Sequence, residues 1–195
     1  GTNRKTIAKM CGIAGILGKC DEDELRIMLN SLKHRGPDDK GMFSVPGKIA
    51  MGMVRLSIID LETGRQPISN ENGTVQLIHN GEIYNYIELK NELKNKGHVF
   101  KTSSDTEVIV HAYEEYGEDC VLKLNGMFVF ALWDSRKNQL MLVRDRLGIK
   151  PLYYASHKNN FYFASEINAL LSISGFERQL NANSLYNYLG GMVAP

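Results

Sequence analysis

Residues 10–18 read Met-Cys-Gly-Ile-Ala-Gly-Ile-Leu-Gly. The apolar run Ile13 to Leu17, held between Gly12 and Gly18, predicts a short buried strand with Cys11 at its head. A cysteine is small enough to allow removal of a preceding initiator methionine, and Cys11 would then carry a free α-amine. Nucleophile and base would share one residue: a thiol of pKa ~8.5 beside an amine of pKa ~7.7–8.0. The amine can take the thiol proton directly or through a water, as in N-terminal-threonine activation, so no catalytic His or Asp is needed. The plainer alternative is a cysteine that only fills the core.

Outward from this strand, a helix is expected over roughly Asp21 to Arg35. Acids Asp21 to Glu24 open it, Leu25, Met28, Leu29 and Leu32 form one apolar face, and Lys33, His34 and Arg35 close it before Gly36-Pro37. Strands are expected near Ile49 to Ile59 and Val75 to His79, and a helix from Ile83 to Lys96 with Gly97 as its stop. Ser104 and Glu107 have capping-box spacing for a helix carrying Ile109, Ala112, Tyr113 and Tyr116. Short strands follow at Phe128 to Trp133, Leu140 to Arg144, Leu152 to Ala155 and Phe161 to Ala164. Helices between runs of strands, without βαβ alternation, predict an α+β fold.

Composition narrows the function classes. The chain has 195 residues, 43% hydrophobic, which suits one domain rather than two. Lys plus Arg number 23 against 22 Asp plus Glu, so neither a basic nucleic-acid-binding face nor a charged tail is indicated. The apolar runs are strand-sized, far short of the ~20 residues of a membrane span. Cys11, Cys20 and Cys120 form no C-x-x-C pair and are odd in number, which argues against a disulfide scaffold or a cysteine zinc site and for a reducing, cytoplasmic setting.

Three further groups could carry chemistry. Asn80-Gly81-Glu82 follows the expected strand at Val75 to His79; an Asn amide and a backbone N–H aimed at one oxygen make an oxyanion hole. Asn-Gly is also a common turn dipeptide, with Glu82 then in a first helical turn. Asp105 is expected in the first turn of a helix, where the dipole keeps it ionised and able to hold an ammonium group; ordinary helix-start chemistry is the alternative. Arg55, on the second strand, could grip a carboxylate through two parallel hydrogen bonds if it faces inward. His34, His79, His98 and His111 are read as structural or surface residues with no metal spacing, and Asp145 with Arg146 as a turn and ion pair.

Together these segments resemble the class II glutamine amidotransferase domain of glutamine-hydrolysing asparagine synthetases. The resemblance rests on MCGIAGILG at Met10 to Gly18, HRGPDD at His34 to Asp39, RLSIIDLETGRQP at Arg55 to Pro67 and HNGEIYNY at His79 to Tyr86. It continues through SSDTEV at Ser103 to Val108, GMFVFALWD at Gly126 to Asp134, RDRLGIKPLYY at Arg144 to Tyr154 and FASEI at Phe163 to Ile167. Amidophosphoribosyl and glucosamine-phosphate synthesis use related domains, and other acceptors than aspartate stay open, as does a catalytically silent glutamine-binding or subunit-contact module.

The resemblance implies a four-layer αββα N-terminal-nucleophile hydrolase sandwich, two mainly antiparallel sheets between helical layers. It implies Cys11 as nucleophile with its α-amine as base, and Asn80 with the Gly81 N–H as oxyanion hole. Arg55 would hold the glutamine α-carboxylate, and Glu82 and Asp105 the α-ammonium. No metal or organic cofactor is expected for this domain; ATP and Mg belong to a synthetase domain, whose S-G-G-x-D-S loop is not in this sequence. L-glutamine and that C-terminal synthetase domain are the expected partners, with a homodimer left open and neither nucleic acid nor membrane expected. Residues 1–9 are read as an N-terminal extension (a cloning remnant, a misread start or a propeptide), 10–181 as the amidotransferase domain, and 182–195 as the start of a linker. While residues precede Cys11 its nitrogen is an amide, and no activity is expected.

Overall fold

The computed structural model describes residues 10–56, 65–176 and 178–191. Strand β1 (Gly12–Leu17) leads into helix α1 (Glu22–Ser31), then β2 (Asp39–Val45), β3 (Ile49–Arg55), β4 (Ile68–Ser69) and β5 (Val75–Ile83). Helices α2 (Tyr86–Asn95), α3 (Glu107–Tyr116) and the short α4 (Cys120–Lys123) follow. Strands β6 (Gly126–Asp134), β7 (Gln139–Arg144), β8 (Tyr153–His157) and β9 (Asn160–Ala164) then precede α5 (Ile167–Leu171) and α6 (Ala182–Leu189).

The strands form two antiparallel sheets, ordered β2-β3-β1-β9-β8 and β4-β5-β6-β7. Side-chain alternation along each strand builds three cores. Ile13, Ile49, Met51, Met53, Ile78, Val129, Ala131, Trp133 and Phe163 interleave between the sheets. On the outer face of the first sheet, Ala14, Ile16, Ala50 and Val54 meet Leu25, Met28 and Leu29 of α1 and Ala169 and Leu170 of α5. On the outer face of the second, Leu77, Ile83, Phe128 and Phe130 meet Leu89 and Leu93 of α2 and most of α3. The layers therefore run α-β-β-α, as expected. Large side chains such as Ile13 and Trp133 are fully enclosed; burying one stabilises the fold by roughly 1.5–3 kcal/mol, and Ile13→Ala would cost about 2–5 kcal/mol.

Several expected boundaries move, each for a local reason. Helix α1 ends at Ser31, with Leu32 as its cap, so Lys33 to Arg35 are not its last turn. Asp21 caps its start by accepting the Asp23 N–H at 2.9 Å. Strand β5 runs on through Asn80-Gly81-Glu82 to Ile83, because β6 pairs with it as far as Gly126. That dipeptide is not a turn, and Glu82 is in a strand rather than a helix. Helix α3 begins at Glu107, leaving Asp105 just outside it.

The capping box does not form as expected. Ser104 Oγ accepts the Thr106 N–H at 3.1 Å. Glu107 turns instead to the Lys101 and Thr102 N–H groups at 2.8 and 2.7 Å. Strand β2, β4 and α5 have no counterpart in the periodicity. The expected strand from Ile49 is described to Arg55, and its remainder, 57–59, lies outside the described residues.

Candidate active site

Cys11 sits immediately before β1, half-buried, against the core between the sheets. The Leu56 N–H donates to its Sγ at 3.4 Å, and the thiol reaches the Leu56 carbonyl at 3.8 Å. The Arg35 Nε–H holds the Cys11 carbonyl at 3.0 Å, while Arg35 Nη1 pairs with Glu166 at 2.9 Å. His34 Nε2 meets the same carboxylate oxygen at 3.0 Å. Arginine and histidine together hold the Glu166 carboxyl below its usual range against the opposing effect of burial, which is the largest single influence. Gly36 has to be glycine here, since a Cβ would lie 2.5 Å from the Arg55 backbone nitrogen. Arg35 and Glu166 are the site residues that sequence reasoning passed over. Their signal was present in the HRGPDD and FASEI segments, but only the fold joins them.

Strand alternation decides which side chains share the space around Cys11. Ile49, Met51 and Met53 of β3 face between the sheets, and Arg55, next in that series, is buried at its end. Gly12 pairs with Val54, so one further step of register sets Cys11 opposite Arg55. On β5, Ile78 faces the same space. Asn80 and Glu82 follow it on that face.

Asn80 is 3% exposed, and its Nδ2 has no hydrogen-bond partner among the described residues. Buried amides are rarely left so, and an unpaired one costs about 1–3 kcal/mol. The Gly81 N–H is oriented by register. Thr74 and Tyr84 bond across to Ser135 and Asn125, so the even-numbered β5 residues are those bonded to β6. Odd-numbered residues point their N–H groups to the other edge. There His79 donates to Gln66 Oε1 at 2.6 Å and Ile83 to Asp105 Oδ2 at 2.8 Å. Gly81 lies between them. A Cβ on Gly81 would come within 2.2 Å of the Met127 carbonyl, so only glycine permits β5 and β6 to close here.

Asp105 is thus tied to the end of β5, two residues from Gly81, and Glu82 is exposed at the same end. Register sets Cys11 opposite Arg55 at the end of the β1–β3 pair, and Asp105 joins Asn80, Gly81 and Glu82 at the end of β5. Residues 57–64, which continue from Leu56, lie outside the described part. His79 sits behind the site, Nδ1 3.0 Å from Thr106 Oγ1. Burial is the largest influence and pulls its pKa down to about 4, outweighing nearby Asp105, so the ring is neutral.

Over residues 10–195 the sequence matches the family described as the glutamine amidotransferase domain. The chain belongs to the glutamine amidotransferase domain family. Among its relatives, asparagine synthetase (glutamine-hydrolysing) 2 of Bacillus subtilis is 48% identical over 179 residues, covering 88% of this chain and 24% of that protein. Asparagine synthetase (glutamine-hydrolysing) 1 of the same organism is 42% identical over 193 residues, covering 95% and 30%. The amidotransferase domain therefore spans about a quarter to a third of these relatives' length. Among solved structures it superposes on the glutamine phosphoribosylpyrophosphate amidotransferase of B. subtilis with a TM-score of 0.72 and 27% identity, over 83% of this chain and 43% of that one. The allosteric regulatory enzyme of purine biosynthesis gives 0.73 at the same identity and coverage. The N-terminal-nucleophile hydrolase sandwich is thus the fold of this amidotransferase domain.

Elsewhere in the domain, Asp145 makes the expected turn without the expected ion pair. Its carboxylate collects the N–H groups of Phe128, Leu147, Ile149 and Lys150, while Arg146 donates to the Leu124 and Val121 carbonyls. The three cysteines are free thiols. No described helix is long and apolar enough to cross a membrane.

Proposed function

We propose that this domain hydrolyses L-glutamine to glutamate and ammonia, with Cys11 as nucleophile once its α-amine is free. The amine takes the Sγ proton, and the thiolate attacks the side-chain amide carbon of glutamine. Negative charge on the tetrahedral oxygen is met by Asn80 Nδ2 and the Gly81 N–H. The amine returns the proton as ammonia leaves, and water hydrolyses the γ-glutamyl thioester. Arg55 grips the α-carboxylate in a bidentate pair, and Asp105 with Glu82 receives the α-ammonium. The chemistry is acyl transfer to and from sulfur, so it calls for no metal or organic cofactor.

The observation that carries this reading is the buried Asn80 Nδ2, without a hydrogen-bond partner among the described residues, on the strand face that Ile78 turns toward the core beside Cys11. By the same reading residues 10–181 are the glutaminase unit and 182–195 lead toward an ATP-using synthetase domain that consumes the ammonia. Aspartate is the acceptor that the asparagine synthetase relatives suggest. A reducing cytoplasm suits a free catalytic thiol.

The test is glutamate release by protein beginning at Cys11, its N-terminus checked by mass. Turnover is expected there, with loss in Cys11→Ala and retention in Cys20→Ala. The same protein with residues 1–10 attached should show negligible turnover, because an amide nitrogen cannot accept the thiol proton. Equal turnover in Cys11→Ala protein would end the proposal.

A further inference from the structure

On the outer helical layer, away from the inter-sheet face, four side chains from three separate segments converge. Glu71 comes from the turn between β4 and β5, His98 from the segment after α2, and His111 and Glu114 from α3. One donor atom from each lies within 4.8 Å of the others. His111 Nδ1 is 3.0 Å from Glu114 Oε2 and 3.8 Å from Glu71 Oε1, and His98 Nδ1 is 3.9 Å from Glu114 Oε2. Four ligands at the ~2.0–2.1 Å bond lengths of zinc stand about 3.4 Å apart in a tetrahedron. These three separations bracket that value and no donor pair exceeds 4.8 Å, so closing the set calls for side-chain adjustment at the longer pairs.

The imidazoles are supported from behind. His111 Nε2 has no hydrogen-bond partner among the described residues and faces Glu107 Oε1 at 3.6 Å. The Glu107 carboxylate is itself fixed by the Lys101 and Thr102 N–H groups and the Thr102 hydroxyl. His98 Nε2 faces Glu115 Oε2 at 3.5 Å, and Lys96 holds the other oxygen of Glu115 at 2.6 Å. Asn70 Nδ2 donates to Glu114 Oε1 at 2.7 Å, turning Oε2 inward. The Val99 N–H donates to Glu71 Oε1 at 3.3 Å. A carboxylate behind each ligating imidazole is the arrangement that fixes a histidine's tautomer at a metal.

His111 makes the case sharper, being 1% exposed. If Nδ1 carries the hydrogen, the bare Nε2 lone pair faces the Glu107 carboxylate. If Nε2 carries it, the bare Nδ1 lone pair faces Glu114 and Glu71. Either neutral tautomer sets a lone pair against an anion in a buried place. Either a proton on each nitrogen or a divalent cation on Nδ1 resolves both contacts, and the cation leaves Nε2–H to donate to Glu107. It also cancels the charge of the two ligating carboxylates.

The geometry points to a divalent transition-metal site, of the class filled by zinc, formed by Glu71, His98, His111 and Glu114. Two imidazole nitrogens and two carboxylate oxygens suit a zinc-class ion, and four protein ligands with no open position suit a structural rather than a catalytic role. The ion would pin the β4–β5 turn and the segment after α2 onto α3.

The experiment uses Cys11→Ala/Cys20→Ala protein, so that no accessible thiol competes for the metal. Chelator-stripped protein is dialysed against zinc, with bound metal counted by elemental mass spectrometry and affinity set by competition with a chromophoric chelator. One zinc per chain is expected, with a raised Tm and, for cobalt, an intense visible band of tetrahedral coordination. His98→Gln and Glu71→Gln alter side chains that are not in the closed core. Each should weaken binding by more than about 100-fold, and Glu115→Gln by about 10–100-fold, the range for outer-shell partners. Absence of stoichiometric zinc overturns the site, as does binding that both His98→Gln and Glu71→Gln leave intact. A Tm that rises on mild acidification but not with zinc would show a protonated imidazole cluster instead, and also overturns it.

Discussion

Asn80→Ala should separate function from stability. Its amide is buried, and Nδ2 donates to nothing among the described residues, so the side chain carries a desolvation cost of about 1–3 kcal/mol. Alanine removes that cost and leaves a small void, which costs a similar amount. The net change in stability should lie within about 1 kcal/mol, or roughly 2–4 °C in Tm for a chain of this size. Turnover should respond very differently. An oxyanion donor acts mainly on the tetrahedral state, so kcat should fall by about 10²–10³, or ~2.7–4 kcal/mol, with little change in KM. The assay pairs glutamate release by protein beginning at Cys11 with thermal melts of wild type and variant. A raised KM at unchanged kcat would refute the oxyanion role. A Tm loss of about 8 °C or more would refute the claim that this amide is held ready rather than used structurally.

Other perturbations give distinct outcomes. Arg55→Ala should raise the glutamine KM by about 10–100-fold with kcat nearly kept, since a charge-assisted contact is worth roughly 1.5–3 kcal/mol; a pure kcat effect would move Arg55 out of the carboxylate role. Gly81→Ala places a Cβ 2.2 Å from the Met127 carbonyl, so the strands must part; loss of turnover and destabilisation by about 1–3 kcal/mol are expected in the same two assays. His79 has a folded pKa of about 4, below its unfolded value, so the unfolded chain binds the extra proton between those values. Stability should therefore fall by about 2–3 kcal/mol from pH 7 to pH 4.5, and urea midpoints for His79→Gln should show a correspondingly smaller drop. At Glu107 burial is the largest single influence and raises the pKa, but hydrogen bonds from His111, Lys101 and Thr102 together outweigh it and hold the carboxyl down to about 2. Glu107 should therefore add a further loss only below about pH 4.5.

The legible parts of the site were those whose chemistry is local. A cysteine after methionine at the head of an apolar strand, and an Asn-Gly pair beyond another, each suggest a chemistry in two or three residues, beside the plainer readings of a core thiol and a turn. The misread parts were set by distant partners. Asn80-Gly81-Glu82 has the composition of a turn, yet the pairing of β6 as far as Gly126 holds it extended. Lys33 to Arg35 suit a helix end, but Arg35 is drawn off to the Cys11 carbonyl and Glu166. Glu107 has capping-box spacing, yet it meets stronger demands from the Lys101 and Thr102 N–H groups and His111. The convergence of His98 and His111 with Glu71 is invisible in the sequence, because a turn, the segment after α2 and helix α3 meet only in the fold.

Sequence alone pointed to the α+β architecture through strand periodicity, and to the class of chemistry and the candidate residues through the motifs that resemble the amidotransferase family, because both are written in short segments. It could not settle which edge of β5 receives the Gly81 N–H, that Cys11 stands opposite Arg55, or that Asn80 Nδ2 is buried without a partner among the described residues. Those follow from strand register and sheet packing. A register shift of one residue sends each side chain to the opposite face, and that register is fixed by contacts between segments far apart in the chain.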